Sequence, residues 1–147
     1  SSNPQYLTVV NGKLYFAAAD DGSSETELWE SDGTAAGTKM VLNPDTAVVP
    51  KHLTGSTSSI LYFSGNDGST GRELWLYDTA KAVSNSATGT KNPRLAFDLE
   101  SGGGSGIDDA NTSILAVGDK AFYSATTGAS VTGGKGQELY LYRPDQS

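Results

Sequence analysis

The sequence predicts an all-β fold of three antiparallel, four-stranded repeats shaped like propeller blades, with a β-sandwich or jelly roll as the second choice. Three observations lead there. An ordered set of short motifs occurs three times in 147 residues. Turn formers are abundant, with 18 Gly among many Ser, Thr and Asn, and helix formers are few, which favours short strands joined by tight turns. One strand of each repeat is apolar on consecutive residues, the pattern of a strand buried on both faces. A one-sided sandwich would alternate more cleanly.

The repeat has a fixed order. Leu14-Tyr15-Phe16 recurs as Leu61-Tyr62-Phe63 and, more weakly, as Ala121-Phe122-Tyr123. A Gly-containing turn follows each: Asp20-Asp21-Gly22, Asn66-Asp67-Gly68, and a longer one spanning 128–136. Then comes Glu-Leu-aromatic, as Glu27-Leu28-Trp29, Glu73-Leu74-Trp75 and Glu138-Leu139-Tyr140. The first two repeats also share Gly-Thr-Lys, at Gly37-Thr38-Lys39 and Gly89-Thr90-Lys91.

In the first repeat, strands are expected at 7–10, 13–19, 25–31 and 39–42. Asn11-Gly12 is a two-residue hairpin signal, and Asp32-Gly33 turns the chain again. The repeats span 6–43, 52–99 and 113–143 of a single domain, residues 1–147. Gly118-Asp119 is the first turn of the third. The stretch 44–50 reads as one linker, the Gly/Ser run 101–106 as a second, flexible by composition, and 78–93 as a polar surface loop. The third repeat lacks residues after Arg143 for a fourth strand, so its edge should be open for pairing with another chain.

Net charge is −7, which disfavours nucleic acid and anionic membrane surfaces. The apolar runs are too short for a membrane-spanning helix. Cysteine is absent, which removes disulfides and thiolate metal sites. The polar, weakly charged surface points to an extracellular, secreted or cell-surface protein. The opening Ser1-Ser2-Asn3-Pro4 reads as a processed chain.

At Glu27-Leu28-Trp29-Glu30-Ser31-Asp32-Gly33-Thr34-Ala35-Ala36-Gly37-Thr38 the sequence resembles the ELWxxDGT repeat family of secreted and surface-associated bacterial proteins. The second repeat keeps Glu73-Leu74-Trp75 and Asp78-Thr79. The third keeps only Glu138-Leu139-Tyr140, with Arg143 where Asp would stand. The resemblance implies a repetitive extracellular β protein and brings no catalytic residues.

The residues carry little catalytic chemistry, and the chain is expected not to be an enzyme. The one histidine, His52, reads as a solvated linker residue. Glu27, Glu73 and Glu138 invite comparison with glycosidase carboxylates, but they fill one slot in successive repeats and read as structural acceptors of backbone N–H bonds. Asp20, Asp21, Asp32, Asn66 and Asp67 supply oxygens suited to calcium; Asp and Asn favour such turns without a metal, and no cofactor is expected. Trp29, Trp75 and Tyr140 read as packing between sheets ahead of a sugar platform. Asn111 heads a formal glycosylation sequon. The leading expectation is a structural or assembly subunit whose partners are copies of itself, joined head to tail in a filament, or else part of a longer repeat array. A glycan-binding adhesion module comes second.

Overall fold

The structure, a computed structural model, describes residues 1–20, 25–41, 48–84, 91–100, 103–110, 112–126 and 136–144. Eleven strands form three antiparallel sheets. The first sheet holds β1 (Gln5–Val10), β2 (Lys13–Ala19), β3 (Thr26–Ser31) and β4 (Lys39–Met40) in that order. The second holds β5 (Val49–Gly55), β6 (Ile60–Asn66), β7 (Arg72–Asp78) and β8 (Arg94–Phe97). The third holds β9 (Ile114–Val117), β10 (Lys120–Thr126) and β11 (Gln137–Tyr142), with β10 in the middle. This sheet has three strands among the described residues, in line with the expectation that the third repeat has no fourth strand, so the four-stranded repeat holds for the first two alone.

Local chemistry sets the hairpins. Asn11 and Gly12 take φ of 51° and 76°, the pair of positive values that a type I′ turn requires. At the second turn, the Asp67 carboxylate accepts hydrogen bonds from Ser69 N, Thr70 N and Thr70 Oγ1 at 2.9, 2.8 and 3.0 Å. In the Asp32-Gly33-Thr34 turn, Asp32 accepts from Thr34 N and Oγ1. A Cβ on Gly37 would run into the Asp32 carboxylate, which explains the small residue four places after Gly33.

Stacking of the sheets explains the consecutive apolar residues. Leu61, Phe63, Trp75 and Tyr77 face the first sheet and join Val10, Tyr15, Leu28 and Val41 in one core. Tyr62, Leu74 and Leu76 face the other way and join Ala121, Tyr123, Ala125 and Tyr142 in a second. The middle sheet is therefore covered on both faces, and every residue of β7 is buried. The sheets approach each other mainly through their first strands, β1 against β5 and β5 against β9.

Both β1 and β5 carry a bulge at the same place, between Gln5 and Thr8 and between Lys51 and Thr54. Tyr6 and His52 take matching φ values of 54° and 53°, and their rings lie 5.2 Å apart. The sequences Pro4-Gln5-Tyr6-Leu7-Thr8 and Pro50-Lys51-His52-Leu53-Thr54 thus open two repeats in the same way. His52 is a strand residue, not a linker residue, because the bulge seats its ring against Tyr6. Pro50 likewise belongs to β5, an edge strand, where a missing N–H is tolerated.

The second linker is held at several points rather than loose along its length. Ser105 Oγ accepts from Arg72 N, Ile107 is buried beside the second core, and Gly104 lies so close to Gly71 that a Cβ there would meet its carbonyl. The polar insert is also partly built in. Asn92 is buried, accepts from Asp78 N, and donates to the carbonyls of Asp78, Lys81 and Ala82.

Candidate functional site

The three Glu-Leu-aromatic motifs occupy one register position. Phe16 pairs across the hairpin with Trp29, Phe63 with Trp75, and Tyr123 with Tyr140. Their ring centroids lie 6.4, 6.5 and 5.8 Å apart. Side chains alternate across a strand, so each aromatic pair looks towards the preceding sheet and each intervening leucine towards the following one. Phe63 and Trp75 fill the first core, and Tyr123 with Tyr140 pack in or against the second.

The outer sheets each leave one such face without a neighbouring sheet among the described residues. On the first sheet, Phe16 and Trp29 lie opposite Tyr15 and Leu28 and are half-buried. They line a cleft of about 330 Å³ with Ala18, Asp20, Thr38 and Ser2. Leu7 and Val9 of β1 stand exposed on the same face, opposite Thr8 and Val10. This corrects the reading of Trp29 as packing between sheets. Trp75 has a sheet in front of it, and Trp29 has none among the described residues.

On the third sheet the open face carries Leu115, Val117, Phe122, Leu139 and Leu141. Leu28, Leu74 and Leu139 are register equivalents, opposite Ala17, Ser64 and Ser124. Their exposures are 5%, 0% and 76%. The same position is sealed at both internal boundaries and open at the third sheet. Sequence reading placed Leu139 in the repeat motif but did not gather the five residues into a patch. The signal was available in the alternation of Leu115 with Val117 and of Leu139 with Leu141.

Polar groups lock the internal boundaries. Glu30 is buried at the first, within 3.1 Å of Lys13 Nζ and 3.5 Å of Lys39 Nζ. Near the second, Asp109 pairs with Lys51 at 2.5 Å and with Arg72 at 2.8 Å. Glu73 is fully buried and accepts from Leu99 N at 3.2 Å and Gly106 N at 2.6 Å, so it holds the second linker. Burial pushes its carboxyl up to about 7 against the pull of those two bonds.

The other two glutamates do not share this environment. Glu27 is half-buried, its carboxyl raised by burial and by Glu25 and Asp20, and Glu138 is exposed. The expectation that repeat-equivalent glutamates do one job is therefore corrected, because only Glu73 is enclosed by a following linker among the described residues. Asp78 accepts from Ser59 Oγ and Ala80 N, a turn role like that of Asp32 across from it in the repeat. Asp32 and Asp67 each turn one oxygen, Oδ1, to turn donors, and no group of three or more acidic or histidine side chains suited to a metal occurs among the described residues. Asp21 and Asn111 lie outside the described residues.

No protein-family model matches the chain, and no curated protein does. What the geometry offers is a pair of unlike apolar faces at opposite ends of a three-sheet stack.

Proposed function

We propose that this chain is a non-enzymatic structural subunit of an extracellular assembly, built from blade-like repeats and joined to copies of itself head to tail. The observation that carries the reading is the contrast among Leu28, Leu74 and Leu139, sealed twice and open once. Contiguous exposed apolar patches on soluble proteins mark interaction surfaces. The two end faces are unlike, so contact between them is heterologous, and a heterologous contact propagates into a ring or filament. The ELWxxDGT-like stretch at 27–38 supports a surface-associated setting, and the approach of the first strands supports the comparison with propeller blades.

Electron microscopy and sedimentation of the chain over a wide concentration range test this reading. Elongated or ring-shaped oligomers are expected, and a strict monomer at millimolar concentration overturns it. Carbohydrate binding is the second reading, favoured by the cleft beside Phe16 and Trp29. Saturable binding of an oligosaccharide, lost in Trp29→Ala while the chain stays monomeric, would put it first.

A further inference from the structure

The internal boundaries show what kind of surface covers each open face. At the first boundary, Val10, Tyr15 and Leu28 pack on Phe63 and Trp75. At the second, Tyr62, Leu74 and Leu76 pack on Tyr123 with Tyr140 alongside. In both, a leucine-centred face of one repeat meets the aromatic face of the next. The third sheet presents the leucine-centred face again, as Val117, Phe122, Leu139 and Leu141. The first sheet presents the aromatic face again, as Phe16 and Trp29 with Leu7, the repeat equivalent of Leu53, which packs on the first core.

We infer that the leucine face of one copy seats on the aromatic face of a second copy in the internal register, with Leu139 and Val117 entering the cleft beside Phe16 and Trp29. This rests on the assembly reading above and specifies its contact. The occupant is a second copy because that face has the chemistry and strand register of the partner already seen twice within the chain. Two aromatic faces would bring the clefts together with nothing to fill them, and two leucine faces would leave both clefts open.

The approach of the first strands differs from the internal one. Gly55 lets β5 lie directly on β1, since a Cβ there would meet Val10 and the Val9 carbonyl. Ala116 holds the matching place in β9, opposite Ala121 as Gly55 is opposite Leu61, and Val9 holds it in β1. A docking copy therefore meets a valine where the internal boundaries have glycine or alanine. Its first strand stands further off, and the contact is weighted towards Phe16 and Trp29.

The test uses two variants of the whole chain. Leu7→Asp/Val9→Asp charges the aromatic face, and Leu139→Asp charges the leucine face; all three positions are exposed, so the core is untouched, and a thermal melt checks that each variant folds. Aspartate on both sides prevents the altered faces from attracting one another. Each variant alone should be monomeric, and an equimolar mixture should give a one-to-one dimer that grows no further, because only one good face of each kind remains. A mixture that stays monomeric while the unaltered chain polymerises overturns this contact and leaves the assembly reading standing. A dimer formed by either variant alone also overturns it, since that contact joins like faces. An unaltered chain that never associates overturns both.

Discussion

Two tryptophans with the same motif and the same cross-strand partner have different surroundings. Trp75 is 4% exposed between two sheets, and Trp29 is half-buried over a cleft. Truncating a buried aromatic leaves a cavity as well as lost transfer energy. Trp75→Ala should cost about 3–5 kcal/mol in chemical denaturation. Trp29→Ala should cost about 1–2 kcal/mol, since solvent already fills part of its surroundings. Equal losses would mean that the two faces are covered alike. Glu73 gives a second expectation at this scale. Its carboxyl is raised from 4.5 to about 7, so between those values the folded chain holds a proton that the unfolded chain has released. Its contribution is full below about pH 4.5 and is lost as the pH rises to about 7, on the order of 3 kcal/mol. Asp32, Asp67 and Asp78 act in the opposite sense. Hydrogen bonds hold their carboxyls below 3.8, those at Asp67 and Asp78 outweighing the effect of burial, so their contribution is present at neutral pH and lost as the pH falls through those lowered values. Melting temperature against pH should therefore peak at mildly acid pH. Glu73→Gln should flatten the limb between about 4.5 and 7, and an unchanged slope in that variant would contradict the assignment.

At the scale of the element, the turns are built by side chains that take the place of missing backbone partners. Asp67 caps three donors in the β6–β7 turn through one carboxylate oxygen. An Asn amide oxygen can accept the same bonds, so Asp67→Asn should shift stability by less than about 0.5 kcal/mol. Asp67→Ala removes the acceptor and should cost about 1 kcal/mol. Melting with and without EDTA, for the unaltered chain and Asp67→Asn, separates this role from calcium binding. A chelator-induced drop in melting temperature would move the turn aspartates from backbone caps to metal ligands. The strands follow a related logic. β6 and β7 are apolar on successive residues because sheets lie on both sides of them. In β10 the buried residues Ala121, Tyr123 and Ala125 alternate with half-buried ones, as among the described residues only one face has a sheet against it.

At the scale of the whole molecule, the stack is anisotropic. Among the described residues its two internal boundaries are sealed by apolar residues and flanked by partly exposed ion pairs, and its two ends are open, largely apolar and unlike. Association that favours the folded state raises apparent stability with concentration. The melting temperature of the unaltered chain should rise with protein concentration, and Leu139→Asp should abolish the rise without changing the value reached at high dilution. A melting temperature independent of concentration in both would show that the open faces do not self-associate. The ion pairs follow this division in part. Lys13, Glu30 and Lys39, and Lys51, Arg72 and Asp109, lie along internal boundaries, whereas the open faces carry Glu27 on the side of Trp29 and Lys120, paired with Asp119, beside the leucine and valine cluster.

The sequence by itself determined the elements. The repeated Leu-Tyr-Phe and Glu-Leu-aromatic motifs, Asn11-Gly12, and the Asp-Gly turns are local signals, because hairpin geometry depends on residues a few places apart. The all-β class, the three antiparallel sheets, and burial of β6 on both faces were legible for that reason, whereas the same expectation fails for β2 and β10, each with a sheet against one face alone among the described residues. Tertiary structure alone decided which members of a repeated set are buried. Trp29 and Trp75, Glu73 and Glu138, Leu28 and Leu139 are near-identical in sequence context and unlike in exposure, since exposure depends on whether another sheet stands in front of them. The placement of His52 in a bulged strand and of Ser105 and Gly106 on Arg72 and Glu73 was hidden for the same reason. Pro, His, Gly and Ser mark loops by composition, and contacts from far along the chain order them here, from Tyr6 for His52 and from 33 residues away for Ser105 and Gly106.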